Sequence, residues 1–303
     1  MNFAPVVLFV YNRPEHTRKT LESLSRNKFA AESKLIVFAD GPKEDAGEET
    51  LAKIEAVRAV VNEKSWCGTV KLIASEKNKG LAASVIDGVT ETVNAYGRVI
   101  VLEDDLVCSP YFLEFMNASL EQYESEEKVI GIAAYIYPVR ETLPETFFLR
   151  GADCWGWATW KRGWDLFEKD GKKLLDEIER KQLAEDFDFG NAYPYTQMLR
   201  DQVNGLNSSW AIRWYASAYL ENKLSLYPGE TLIRNIGVDG SGTHSGVSDK
   251  WESRMAKKCP AVGTIAVKED PQARAAVARF FWELRMIPFE KRVKGWLRRL
   301  FGK

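Results

Sequence analysis

Arg98-Val-Ile-Val-Leu102 is an apolar, β-branched run that stops abruptly at Glu103-Asp104-Asp105 and is followed by Ser109-Pro110. Such a run predicts a strand buried on both faces, and Pro110 suits the first turn of a helix. The three carboxylates then stand at the carboxyl edge of a sheet. Upstream the same alternation occurs three times. Residues 5–10 are continuously apolar, Tyr11-Asn-Arg-Pro14 breaks the run, and an amphipathic stretch covers residues 15–25. Lys34–Ala39 ends at Asp40-Gly-Pro42 ahead of helical spacing over residues 48–61. Residues 70–74 lead through the polar loop 75–79 into a helix over residues 80–94. Four strands alternating with helices predict an α/β fold: a Rossmann-like, doubly wound, mostly parallel sheet with helices on both faces. Ligands of such sheets bind beyond the carboxyl ends of the strands.

The composition narrows the function. Of 303 residues, 45% are hydrophobic and 28% charged, enough for a large core without covalent staples. Lys plus Arg (42) nearly cancels Asp plus Glu (43), which argues against a nucleic-acid partner. Cys67, Cys108, Cys154 and Cys259 lack the paired spacing of zinc sites and read as buried thiols of a reducing compartment. The first ten residues have no basic region and run straight into a structured motif, and no segment has the roughly 20 apolar residues that span a bilayer. A cytoplasmic protein is expected, with contact to the inner face of a membrane as the one addition.

Crowded carboxylates are costly unless a cation is present, and hard oxygen ligands suit Mn²⁺ or Mg²⁺. Such an ion could neutralise a diphosphate leaving group. The stretch Val99 to Met116 resembles the acidic metal motif of the GT-A glycosyltransferases, family 2-like, and in particular the N-acetylglucosaminyltransferase I group. The likeness extends in order: Asn12-Arg13 to a nucleotide loop, Phe38-Ala-Asp-Gly41 with Glu48-Glu-Thr50 to a loop whose Asp meets uracil, and Asn78-Lys-Gly-Leu81 to a further donor loop. Gly156-Trp157 with Trp160 resembles a segment beside the donor sugar, and Asn235 to Gly246 a late loop ending in Ser-His-Gly.

The resemblance implies a metal-dependent inverting transferase that moves a sugar, N-acetylglucosamine by default, from a UDP-sugar to a glycan or lipid-linked acceptor in surface polysaccharide synthesis. It implies metal ligation by Asp105, with His244 of the late loop on the metal or on the diphosphate it carries, and nucleotide-sugar contacts from Asn12, Arg13, Asp40, Asn78, Lys79, Glu103, Asp104 and Trp157. His16, the other histidine, reads as structural. The group's base follows a Trp, but here Ala211 follows Trp210, which leaves Asp201 and Asp153, with Asp239 behind them, as candidate general bases. Sugar faces stack on aromatics, so the tryptophans near 155–164 and 210–214 read either as core or as an acceptor platform. A sugar-phosphate nucleotidyltransferase and a catalytically silent carbohydrate-binding protein are the alternatives; the first lacks its Gly-rich loop after the first strand.

The expected organisation is a catalytic domain over residues 1–284, with a nucleotide-binding half (1–117) and an acceptor half (118–250), followed by a tail over residues 285–303. From Val293 on, the tail's apolar residues recur at helical spacing with basic residues between them. That pattern predicts a C-terminal amphipathic helix, suited either to packing on the body or to an anionic membrane surface.

Overall fold

The computed structural model describes residues 3–237 and 250–301, the last fifteen as helix backbone. The first part of the chain runs β1 (Val6–Val10), α1 (Pro14–Ser25), β2 (Lys34–Ala39), α2 (Glu48–Asn62), β3 (Thr69–Ala74), α3 (Leu81–Tyr96) and β4 (Arg98–Glu103). A short β5 (Leu106–Cys108) and α4 (Phe112–Gln122) follow the acidic triplet. The second half contains β6 (Val129–Ala133), β7 (Thr146–Arg150), β8 (Trp157–Trp160), α5 (Lys161–Trp164), α6 (Gly171–Arg180), α7 (Ala184–Phe187), α8 (Tyr195–Val203), α9 (Trp210–Leu220), β9 (Leu224–Pro228), β10 (Ile233–Asn235) and α10 (Pro271–Phe301).

Eight strands form one sheet in the order β3-β2-β1-β4-β8-β6-β9-β7. The first four are mutually parallel, as the sequence predicts. β8 then enters antiparallel between β4 and β6, with Val101 opposite Trp157 and Ala133 opposite Trp157. Its amino end and the carboxyl ends of β4 and β6 therefore share one edge, where the two halves of the chain meet.

β1 shows why the sheet needs cover on both faces. Val6, Leu8 and Val10 join one core with Leu21 and Leu24 of α1 and Val57 and Val61 of α2. Val7 and Phe9, pointing the other way, join a second core with Val85 and Val89 of α3 and Trp214 of α9. All five strand residues are buried, and each such side chain contributes roughly 1.5–3 kcal/mol. A third core lies under α6 to α10 and is rich in tyrosine and phenylalanine.

The segment before α10 was not anticipated as structure. It crosses the body through bonds from Thr231 N to the Arg254 carbonyl, Tyr123 Oη to the Gly263 carbonyl and Asp270 N to the Phe148 carbonyl. Asp270 then caps α10 by accepting from the amides of Gln272 and Ala273. Among the described residues no helix is long and apolar enough to cross a membrane.

Candidate active site

Thr17, Thr20 and Ser23 are buried polar positions on one face of α1. Thr20 Oγ1 donates to the Asp104 carbonyl at 2.8 Å, and Ser23 Oγ accepts from Cys108 N at 2.9 Å. The helix thus holds the backbone of the acidic triplet and of β5. Arg13, just before this helix, turns its guanidinium onto the triplet: Nη2 pairs with Asp104 and, at 3.0 Å, with Asp105, while Nε lies 3.3 Å from Asp104 Oδ2. The cation that the crowded carboxylates require is therefore supplied, in part, by a residue 91 positions away. Arg13 was expected against the nucleotide; here it is bound to the triplet itself.

The electrostatics follow from burial. Asp104 is 4% exposed, and desolvation lifts its carboxyl to about 6 although Arg13 acts in the opposite direction. Glu103 is pushed well above the ordinary carboxylate range by burial and by the charges of Asp105 and Asp104. Burial opposes the charge of Arg13, but the two aspartates outweigh it and hold the guanidinium above its ordinary value. His16 lies close enough to Asp104 for its charge to be felt there, which gives this helix-start histidine a position at the site's edge.

Asp40 presents a different arrangement at the end of β2. Oδ1 accepts from the amides of Gly41 (2.9 Å) and Lys79 (2.8 Å), and Oδ2 from Asn78 Nδ2 (3.0 Å) and Gly80 N (2.9 Å). A carboxylate has about four lone-pair directions, and all are engaged. Asp40 thus joins the loops after β2 and β3 and holds the start of α3, leaving no acceptor for a uracil imide. Gly41 is required here because a Cβ would collide with the backbone of Lys77. Asn78 spends its amide on Asp40 and the Gly41 carbonyl, while Lys79 is exposed and Asn12 half-buried beside the crevice. Tyr11, missed in the sequence, lies near Asp40 and the backbone of Lys43.

The chain beyond β6 closes the other side. Residues 153–156 enter β8 beyond the end of β4, so they lie beside the triplet; the Cys154 thiol is pushed up by burial and by Asp153, Glu103 and Asp105. Asp153 Oδ1 accepts from the amides of Cys154 (2.6 Å) and Trp155 (3.1 Å), and the Tyr227 hydroxyl reaches Oδ2 at 3.4 Å. Burial raises its pKa. Next to it, Trp155 packs edge-on against Tyr135 (4.7 Å) and Trp251 (5.9 Å), and Tyr135 Oη donates to the Trp251 carbonyl. Tyr135 and Trp251 carried no motif and were not singled out.

Asp201 is not brought to this edge. It sits on α8, which packs on α6, α7 and α9, and its carboxylate accepts from Gln197 one turn earlier. Trp157 also departs from expectation. It is 2% exposed, with Trp210, Trp164 and Trp214 rings at 5.5, 5.6 and 5.9 Å. Strand alternation turns it away from the edge into the core under α3 and α9, so it cannot stack on a sugar. Of the four cysteines, Cys67 and Cys108 are buried, with thiols pushed up to about 12, whereas Cys154 and Cys259 are half-buried.

β10 pairs antiparallel with β5, and Ile236 N donates to the Asp105 carbonyl, which brings Gly237 against the triplet. A Cβ there would collide with Asp105 Oδ2. The late loop therefore departs from beside Asp105; His244 and Asp239 lie outside the described residues, among which no group of three or more His, Cys, Asp or Glu forms a metal cluster. A groove of about 500 Å³ lies elsewhere, between α7 and α10. Its Arg274 is already paired with Asp186 and Glu269.

Comparison with known proteins sets this geometry in a family. No curated protein matches the chain. Among solved structures, a mannosyltransferase from Pyrobaculum calidifontis in complex with GDP-Man and Mn²⁺ is similar at 14% identity and TM-score 0.32, covering 46% of this chain and 37% of that one. S. aureus TarS residues 1–349 match at 13% identity and TM-score 0.39, over 76% and 59% of the two chains. Glucosyl-3-phosphoglycerate synthase from Mycobacterium tuberculosis, in complex with Mn²⁺, UDP-glucose and phosphoglyceric acid, matches at 13% and 0.32, over 58% and 66%. The chain spans only about a third of the first of these. The model of glycosyl transferase family 2 matches residues 6–176, more than half of the sequence and the whole acidic edge, and the chain belongs to that family.

Proposed function

We propose that this glycosyltransferase transfers a sugar from a UDP-sugar, with inversion, to a glycan or lipid-linked acceptor in surface polysaccharide synthesis. The observation that carries the reading is the meeting of Arg13, Asp104 and Asp105 with the Asp40-held loops on one side and Asp153 on the other. The narrower likeness to the N-acetylglucosaminyltransferase I group supports UDP as the nucleotide and N-acetylglucosamine as the first sugar to try. Asp40 acts by holding residues 78–80 in place, while Asn12, Tyr11 and Lys79 line the nucleotide crevice.

The residues at the triplet fit a hard divalent cation. Asp105 spends one lone pair on Arg13 and keeps others, and the close approach of Gly237 sets the start of the late loop against its Oδ2. Asp105, with His244 from the sequence resemblance, would hold Mn²⁺ or Mg²⁺. When bound, the ion would supply charge neutralisation of the diphosphate leaving group.

The chain's own residues supply the rest. Arg13 fixes the orientation of both aspartates, and Glu103, at the end of β4, orients them from behind. Asp153 takes the proton from the acceptor hydroxyl as it attacks the anomeric carbon, and its place beside the triplet favours it over Asp201. Trp155 and Trp251 take the stacking role that the sequence offered to the tryptophans near 155–164 and 210–214. An acceptor of this class would be met from the cytoplasmic side. A thermal-shift panel of nucleotide sugars with and without Mn²⁺ tests the donor, because a ligand of the native state raises its midpoint. Metal-dependent release of UDP by the wild type that persists undiminished in Asp105→Ala would overturn the site.

A further inference from the structure

The last helix has two parts of different character. In the first, Ala273, Ala276, Val277, Phe280 and Phe281 are buried at helical spacing and dock α10 on the tyrosine-rich core. Towards its end the apolar surface turns outward, and Trp282 and Met286 are 44% and 50% exposed. Pro288 follows. It has no N–H to donate to the carbonyl of Leu284, so the helix is weakest there and can change direction.

Beyond Pro288 the sequence changes sign. Residues 289–303 contain six basic side chains, Lys291, Arg292, Lys294, Arg298, Arg299 and Lys303, against the single acid Glu290. The whole chain has a formal charge of only −1, so the body carries the compensating acidic excess. Helical spacing places Phe289, Val293, Trp296, Leu297, Leu300 and Phe301 on one arc and the basic residues on the opposite one. We propose that the end of α10, residues 289–301, lies as an interfacial helix on an anionic phospholipid surface, with Pro288 as the joint between it and the docked half of α10.

Charge selects this occupant over others. A second copy of the same helix would bring two basic arcs together, whereas helix pairs use flanking charges of opposite sign. A nucleic acid would satisfy the basic arc but leave Phe289, Trp296 and Phe301 in water. An anionic bilayer satisfies both arcs, the apolar one at the acyl boundary and the basic one among the headgroups. The acidic body is repelled by the same surface, so the attachment is confined to the tail. This inference does not depend on the donor or acceptor of the transferase.

The test is co-sedimentation of the full chain with phosphatidylcholine vesicles that contain phosphatidylglycerol, against vesicles of phosphatidylcholine alone. The expected result is binding to the anionic vesicles that weakens about tenfold or more between low and high salt. K291Q/R292Q/R298Q/R299Q and, separately, W296S/L300S should each lose that binding, with circular dichroism and thermal midpoint unchanged because the docked half ends before Pro288. Equal sedimentation of the wild type and the charge variant would overturn the proposal. So would a salt-insensitive dimer, measured by light scattering, that W296S/L300S dissolves and that ignores the vesicles; that result assigns the face to a second copy.

Discussion

Asp40 and the Glu103-Asp104-Asp105 triplet stand at the carboxyl ends of neighbouring parts of one sheet, yet their chemistry differs. Asp40 is a single carboxylate with four donors, all from its own loop or the loop after β3. The triplet is three carboxylates that, among the described residues, share one guanidinium, with His16 near Asp104. A saturated carboxylate fixes architecture; a crowded, under-compensated group retains capacity for a further cation or a hydroxyl donor. The same sheet edge thus separates into a part that shapes the crevice and a part that can perform chemistry.

Removing Asp105 should have the largest effect on turnover. Asp105→Ala is expected to lower kcat by about 10³-fold or more, as loss of leaving-group stabilisation does, measured as UDP release with saturating metal. Turnover within tenfold of the wild type would erase the distinction from Asp40. Asp153→Asn should follow, with a loss of roughly 10²-fold or more in kcat and unchanged donor affinity, while Asp201→Asn stays near wild type.

The pH dependence sharpens that assignment. Burial raises the pKa of Asp153, and a base must be deprotonated to act. The acidic limb of the kcat profile should therefore lie above the ordinary aspartate range, and the Asn variant should lack it. The raised value also means that the proton binds the folded state more tightly than the unfolded one. The stability contributed by this group is full below the unfolded pKa and is lost as pH rises through the folded one. Urea midpoints of wild type and Asp153→Asn, compared across that window, check the sign.

Gly237→Ala probes the side of the triplet from which the late loop departs. Its Cβ would displace Asp105, and a misplacement of this kind should reduce kcat by about 10-fold to 10²-fold with little loss of stability. Asp40→Ala should do the reverse. Four donors lose their acceptor, so the unfolding free energy should fall by about 3–5 kcal/mol in urea titration, with the donor KM raised more than kcat is lowered. The smallest effect is expected for Trp157→Phe, whose indole Nε1 is buried without a partner among the described residues. Donor KM should not change; a large rise would return Trp157 to the sugar site.

The parallel strands and the acidic edge at which they end could be read in the sequence because they rest on local signals. Strands buried on both faces appear as apolar runs, helices as three-to-four spacing, and their boundaries fall where Asp40-Gly-Pro42 or Glu103-Asp104-Asp105 interrupts the run. Other features depend on which distant segments meet, and only the tertiary structure decided them. The partner of the triplet is Arg13, across 91 positions, and Asp40 is saturated by a loop nearly 40 residues on. Trp157 faces the core because β8 enters antiparallel between β4 and β6. A four-residue strand buried throughout has no polar face to reveal that direction in its sequence.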